Sequence, residues 1–172
     1  TRSASGAGRS DVTARRIASR LARSMSRASI TGASTTPIAN ATAWARISRS
    51  HRPIGDLLMD QAVVAGVGNV YRAEVLFRHK VHPLRPGKTL RRAQFRAMWA
   101  DLVELMEYGV RTGRIDTVRP EHTPEAMGRE PRQDDHGGEV YVYRRHGQEC
   151  LVCGSKIRTD VPVDFDPTAV QY

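Results

Sequence analysis

At 172 residues, with a net charge of +9 and a pI near 10.4, the chain has room for one ordinary domain and a tail, and its surface favours polyanionic partners. No run of about 18 apolar residues occurs, which excludes a membrane-spanning helix, and an aromatic content of 6% argues against a large all-β sandwich. Of the 27 basic residues only Lys80, Lys88 and Lys156 are lysine; arginine's fork grips phosphate oxygens in pairs, although a GC-rich gene produces the same bias.

Residues 1–36 are Ser, Ala, Arg, Thr and Gly with Asp11 as the sole acid, and Ile17, Leu21 and Met25 make only a thin helical stripe. This stretch is read as low-complexity and disordered. Its Arg- and Ser-rich, acid-poor texture also imitates a transit peptide. From Ile38 the pattern changes: Ala43, Trp44 and Ile47 recur at helical spacing, and Pro53 opens a second segment with Ile54, Leu57 and Leu58 on one side.

The apolar run from Ala62 to Val67 ends in Gly66-Val67-Gly68-Asn69, and Val70, Ala73 and Phe77 follow at i, i+3 and i+7. That pattern predicts a tight turn feeding a helix, with Asn69 as N-cap. Two glycines remove Cβ atoms that would block a phosphate, and the helix behind them offers free N–H groups and a positive dipole end. Taken alone, a G-x-G before a helix is more often a plain corner.

Residues 81–88 contain Pro83, Pro86 and Gly87 and form a connection, after which Thr89 is expected to cap a long helix. Its stripe is Phe95, Met98, Leu102, Leu105 and Met106, with Gly109 as the expected end. Residues 113–138 read as a long polar loop. Val140-Tyr141-Val142-Tyr143 then reads as a short β-type run leading to Cys150 and Cys153. Cysteines at C-x-x-C spacing suit zinc, but four ligands are needed and only one pair is present; His146 and His136 are candidate completions. Without metal these are two free thiols, consistent with a reducing compartment.

The string Leu57-Leu58-Met59-Asp60-Gln61-Ala62-Val63-Val64-Ala65-Gly66-Val67-Gly68-Asn69-Val70-Tyr71-Arg72-Ala73-Glu74-Val75-Leu76-Phe77, continued by Val81-His82-Pro83, resembles the helix-two-turn-helix signature of the Fpg/Nei DNA glycosylases. The resemblance runs from Pro37 to Cys153. It implies a mainly α fold: a DNA-binding domain over 37–112, a loop over 113–138, an incomplete zinc-finger region over 139–159 and a divergent tail over 160–172. By resemblance Gly66, Gly68 and Asn69 bind the DNA backbone beside a lesion, and Tyr143 lies near that backbone. Arg72 stands where Nei-type members carry arginine, which favours oxidised pyrimidines; a solvated helix face is the plainer reading of it. Glu74 supports the turn from inside or makes a surface salt bridge. The family's finger binds zinc, here through Cys150 and Cys153.

The family's nucleophile is an N-terminal proline amine followed by glutamate, a pair suited to Schiff-base chemistry at the sugar. Thr1 and Arg2 do not match it, so the chain is read as the DNA-binding part of a base-excision-repair glycosylase/AP lyase, truncated or frame-disrupted, and inactive alone. It would act as a monomer on damaged double-stranded DNA in the bacterial cytoplasm. A non-catalytic nucleic-acid-binding module and an unstable pseudogene product are the competing readings.

Overall fold

The computed structural model describes residues 35–133 and 138–158, with side chains from residue 39 onward. Residues 1–34 and 159–172, and with them nearly all of the leading segment and the divergent tail, lie outside the described residues, as does His136.

The first helix, α1 (Thr35–Ile47), begins inside the stretch read as unstructured. Ala43 and Ile47, one turn apart, are fully buried, and Trp44 packs its ring 5.3 Å from that of Phe95 on the long helix. Helix α2 (Ile54–Met59) starts directly after Pro53, whose φ of −54° is preset for a helix start. It is short, but Ile54, Gly55, Leu57 and Leu58 are all buried. Its approach is fixed by backbone bonds to the 83–87 connection: Ile54 N–H to Arg85 O (2.8 Å), Gly55 N–H to Pro83 O (2.9 Å) and Gly87 N–H to Arg52 O (3.0 Å). Gly87 is a close-approach glycine, since a Cβ there would sit 2.6 Å from both Ile47 O and Leu57 Cδ1.

Helix α3 (Asn69–Arg78) buries six consecutive residues, Tyr71 to Leu76. Of the expected stripe of Val70, Ala73 and Phe77 only Ala73 is buried, and the helix packs on a second face as well. Tyr71, Val75 and Leu76 enter the main core with the α2 leucines and the α4 stripe. Ala73 and Phe77 face a second cluster with Tyr141, Val142, Cys150 and Ile157, where the Phe77 and Tyr141 rings lie 5.1 Å apart. A helix buried nearly all round, with Arg72 and Glu74 included, is one shared by two clusters.

A 3-10 turn over Gly87–Thr89 leads to α4 (Arg92–Thr112), whose buried residues are Phe95, Met98, Leu102 and Leu105, with Met106 packed alongside. Burying each such side chain contributes about 1.5–3 kcal/mol. Both expected ends of this helix shift. Thr89 is used within the preceding turn, its hydroxyl donating to Pro86 O at 2.8 Å; Arg91 is the N-cap residue, and its N–H donates to Gln94 Oε1 at 3.4 Å. At the other end the helix runs past Gly109 and stops at Gly113, which takes the left-handed conformation at φ 71°. Gly109 is there for contact: a Cβ would lie 2.3 Å from the Tyr71 hydroxyl.

Within the expected loop 113–138 the chain forms a 3-10 turn over Pro120–His122 and the one-turn helix α5 (Pro124–Met127). The Thr123 hydroxyl caps α5 by accepting from Ala126 N–H at 3.3 Å. Arg78 ties this segment to α3 by donating to Thr117 O at 2.6 Å.

The β-type run at 140–143 is not a strand. Its amides turn to a carboxylate instead of a neighbouring chain: Tyr141 N–H donates to Glu74 Oε2 (2.7 Å), and Val142 and Tyr143 N–H donate to Glu74 Oε1 (2.9 and 2.8 Å). The carbonyls of Val140 and Tyr141 are taken by Arg145 Nη1 at 3.2 and 2.9 Å. Backbone groups satisfied by side chains leave none for a ladder. Among the described residues the only extended pairings are isolated bridges, Pro53 with Pro86 and Glu149 with Lys156, and the fold is mainly helical. No helix among them is long and apolar enough to cross a membrane.

Candidate nucleic-acid interface

The turn joining α2 to α3 is built from its own side chains. Asp60 accepts from Ala62 N–H at 3.0 Å and from Arg52 Nη1 at 2.9 Å; these bonds, Arg52's first, hold its carboxyl below the usual carboxylate range. Gln61 spans the loop. Its amide donates to Val67 O (2.9 Å) and Met59 O (3.2 Å), while its oxygen accepts from Gly66 N–H (2.8 Å). Val64 and Val67 anchor the turn in the core. Sequence reading passed over Gln61; the available signal was a lone amide side chain at the head of an apolar run.

The two glycines differ in what they do. Gly66 has φ 87°, a conformation costly for any residue with a Cβ. Gly68 has φ −113° and ψ −176°, extended backbone open to any residue, and a Cβ there would meet nothing within 4 Å. The fold therefore asks for glycine at 66 but not at 68, where the missing side chain leaves open space in front of the helix.

That open space faces the start of α3. Arg72 N–H closes the first turn onto Gly68 O at 3.0 Å, so the N–H groups of Asn69, Val70 and Tyr71 have no acceptor within the helix. No acidic residue occupies the first turn and Gly68 provides no side-chain cap. Asn69 is the first helical residue rather than the cap, and its side chain is part-exposed beside these donors. Uncapped amides at the end of a ten-residue helix carry roughly half a positive charge.

Of the other expected site residues, Arg72 is 6% exposed, so it is not a solvated helix-face arginine. Glu74 is fully buried and supports the 140–143 segment rather than its own turn, also accepting from the Thr117 hydroxyl at 2.7 Å. A surface salt bridge is thereby excluded. Tyr143 N–H is bonded to the carboxylate of Glu74, which ties its backbone to α3 five residues beyond Asn69. The Arg144 guanidinium lies 5.6 Å from the centre of the Tyr143 ring.

Cys150 and Cys153 lie on a separate turn closed by Gly154 N–H to Cys150 O at 2.9 Å. Cys150 is buried in the second cluster and Cys153 is exposed. Hydrogen bonds from the Ser155 backbone and hydroxyl, then from Cys150, hold the Cys153 thiol below its ordinary value. Among the described residues no third Cys, His, Asp or Glu joins them in a metal-binding group, so His146 does not complete the set. Two thiolates do not fill a tetrahedral zinc shell.

Residues 30–120 match the model of the formamidopyrimidine-DNA glycosylase H2TH domain. The chain is 54% identical over 121 residues to endonuclease 8 1 of Mycobacterium tuberculosis, an alignment covering 69% of this chain and 42% of the relative. It is 37% identical over 115 residues to formamidopyrimidine-DNA glycosylase of Parasynechococcus marenigrum, covering 67% and 39%. It thus spans about two fifths of the length of these curated relatives. The crystal structure of MutM (Fpg) from Thermus thermophilus superimposes with a TM-score of 0.55 at 29% identity, over 76% of this chain and 49% of that one. Lactococcus lactis Fpg, solved with DNA containing an abasic site, gives 0.56 at 22% identity, over 77% and 43%. With the signature turn, the shared helical frame and these matches in hand, the chain belongs to the Fpg/Nei family, by way of its H2TH domain.

Proposed function

We propose that the residues described here bind the sugar-phosphate backbone of damaged duplex DNA, as the DNA-binding portion of a base-excision-repair glycosylase. The observation that carries this reading is the pairing of an uncapped helix start with open space at Gly68. A phosphate oxygen placed there receives the amides of Asn69 to Tyr71 and the Asn69 side chain, while the buried Arg72 adds a positive field beneath the turn. Tyr143, whose backbone Glu74 ties to α3, supplies a second polar contact.

Base removal and strand cleavage by AP lyase chemistry are proposed for the whole protein; no described residue is assigned a catalytic role. The higher identity to an endonuclease 8 than to a formamidopyrimidine-DNA glycosylase supports a Nei-type preference for oxidised pyrimidines. Zinc at Cys150 and Cys153 is proposed only with two further ligands from outside the described residues, and elemental analysis of the purified protein tests it.

Binding of wild type and Asn69→Ala to a short duplex, undamaged or bearing an abasic-site analogue, tests the function. Loss of a hydrogen bond to a charged phosphate is worth about 1.5–3 kcal/mol, so the variant is expected to bind about tenfold or more weakly. Equal affinity would contradict the reading. Wild-type binding with no preference for the abasic duplex would favour a general nucleic-acid module over a glycosylase portion.

A further inference from the structure

The sequence contains two stretches without any acid, one between Asp11 and Asp56 that is rich in arginine and one between Glu74 and Asp101 that is rich in arginine and lysine. The fold sets parts of them side by side. Gly87 N–H donates to Arg52 O at 3.0 Å and Lys88 N–H to Ser50 O at 2.9 Å. As a result the Lys88 ammonium lies 3.5 Å from His51 Nε2. Arg49, His51, Arg52, Lys88, Arg91 and Arg92 are all exposed. Among the described residues, Arg52 alone of these makes an ion pair, with Asp60 at 2.9 Å.

The loops are held stiffly. Gly87 is packed too tightly for a Cβ, and Pro53 and Pro86 pair across the junction. A rigid backbone that brings Lys88 and His51 together, with Arg52 alone of the basic groups there paired to a carboxylate, is an arrangement that an outside anion relieves. The surface is also continuous with the turn described above, since Arg52 pairs with Asp60 and Arg46 Nη1 donates to Ala62 O at 2.6 Å.

We propose that Lys88 and His51, flanked by Arg49 and Arg52, form a second phosphate-binding seat that takes another phosphodiester of the same duplex. In its choice of ligand this rests on the DNA-binding reading; the seat itself rests on the juxtaposed loops. One phosphate sits at the start of α3, and a further one along the backbone is gripped by the 48–52 and 85–92 loops. The chain's footprint on DNA thus extends beyond the signature turn.

The salt dependence of duplex binding tests it, measured by anisotropy for wild type, Lys88→Gln and Arg111→Gln. Arg111 is an exposed charge control, about 28 Å from Arg92 along α4. Each phosphate contact contributes about 0.9 to the slope of log affinity against log salt. Lys88→Gln is expected to flatten the slope by about that amount, and Arg111→Gln to leave it unchanged. Wild-type binding with no change of slope in Lys88→Gln, or an equal change in both variants, overturns the second seat and leaves the function standing. If wild type binds no duplex, the function fails instead. Titration with inorganic phosphate then decides the seat. A shift of the His51 ring resonance that is lost in Lys88→Gln supports it, and no shift in wild type overturns it.

Discussion

The Glu74 carboxylate accepts the backbone N–H of Tyr141 at 2.7 Å, a bond that joins the signature helix to a segment 67 residues further on. With the amides of Val142 and Tyr143 and the Thr117 hydroxyl it receives four donors in all, at full burial. Only an ionised carboxylate can accept from all four, because an amide would turn two N–H groups toward donors. Glu74→Gln is therefore expected to lower unfolding free energy by about 1.5–3 kcal/mol, read as a lower urea midpoint. An unchanged midpoint would mean that the carboxylate is not the anchor.

Gly109 and Tyr71 form a second long-range pair, with no room for a methyl between the glycine Cα and the phenol hydroxyl. Gly109→Ala is expected to destabilise by about 1–3 kcal/mol through overpacking, despite alanine's better helix propensity. Tyr71→Phe removes the clashing oxygen, so the double variant is expected to recover most of that loss. A double-mutant cycle showing simple additivity would reject the contact.

Burial pushes the Tyr71 phenol up to about 12. Its folded value lies above its unfolded value of about 10, so its contribution to stability is complete below pH 10 and is lost as pH rises toward 12. The melting temperature is expected to fall across that window, and Tyr71→Phe to make the fall shallower. Identical alkaline profiles for the two proteins would show that Tyr71 ionises as freely in the folded state as in the unfolded one.

The parts of this fold that were legible in the sequence are those with local causes. The stripe of α4, the proline opening α2 and the corner at Gly66 each follow from spacing or from backbone chemistry within a few residues. What was illegible depends on partners far along the chain. Gly109 reads as a helix end because nothing nearby reveals Tyr71, 38 residues away. Val140 to Tyr143 reads as a strand because alternating Val and Tyr normally meets another strand, whereas here the amides meet Glu74. At the candidate site, the glycines and Asn69 were visible as a motif. Their unequal roles, the brace made by Gln61 and the burial of Arg72 needed coordinates.

The most direct test of the central claim uses Gly68, whose side chain is missing for no reason internal to the protein. Threonine is about as good an N-cap as glycine and accepts the extended backbone at this position, so Gly68→Thr is expected to melt as wild type does. Its branched side chain fills the space in front of the α3 amides, and duplex affinity measured by anisotropy is expected to fall about tenfold or more, a loss of about 1.4 kcal/mol at least. Unchanged melting with unchanged affinity would contradict the account, because the phosphate would then be bound somewhere other than this turn.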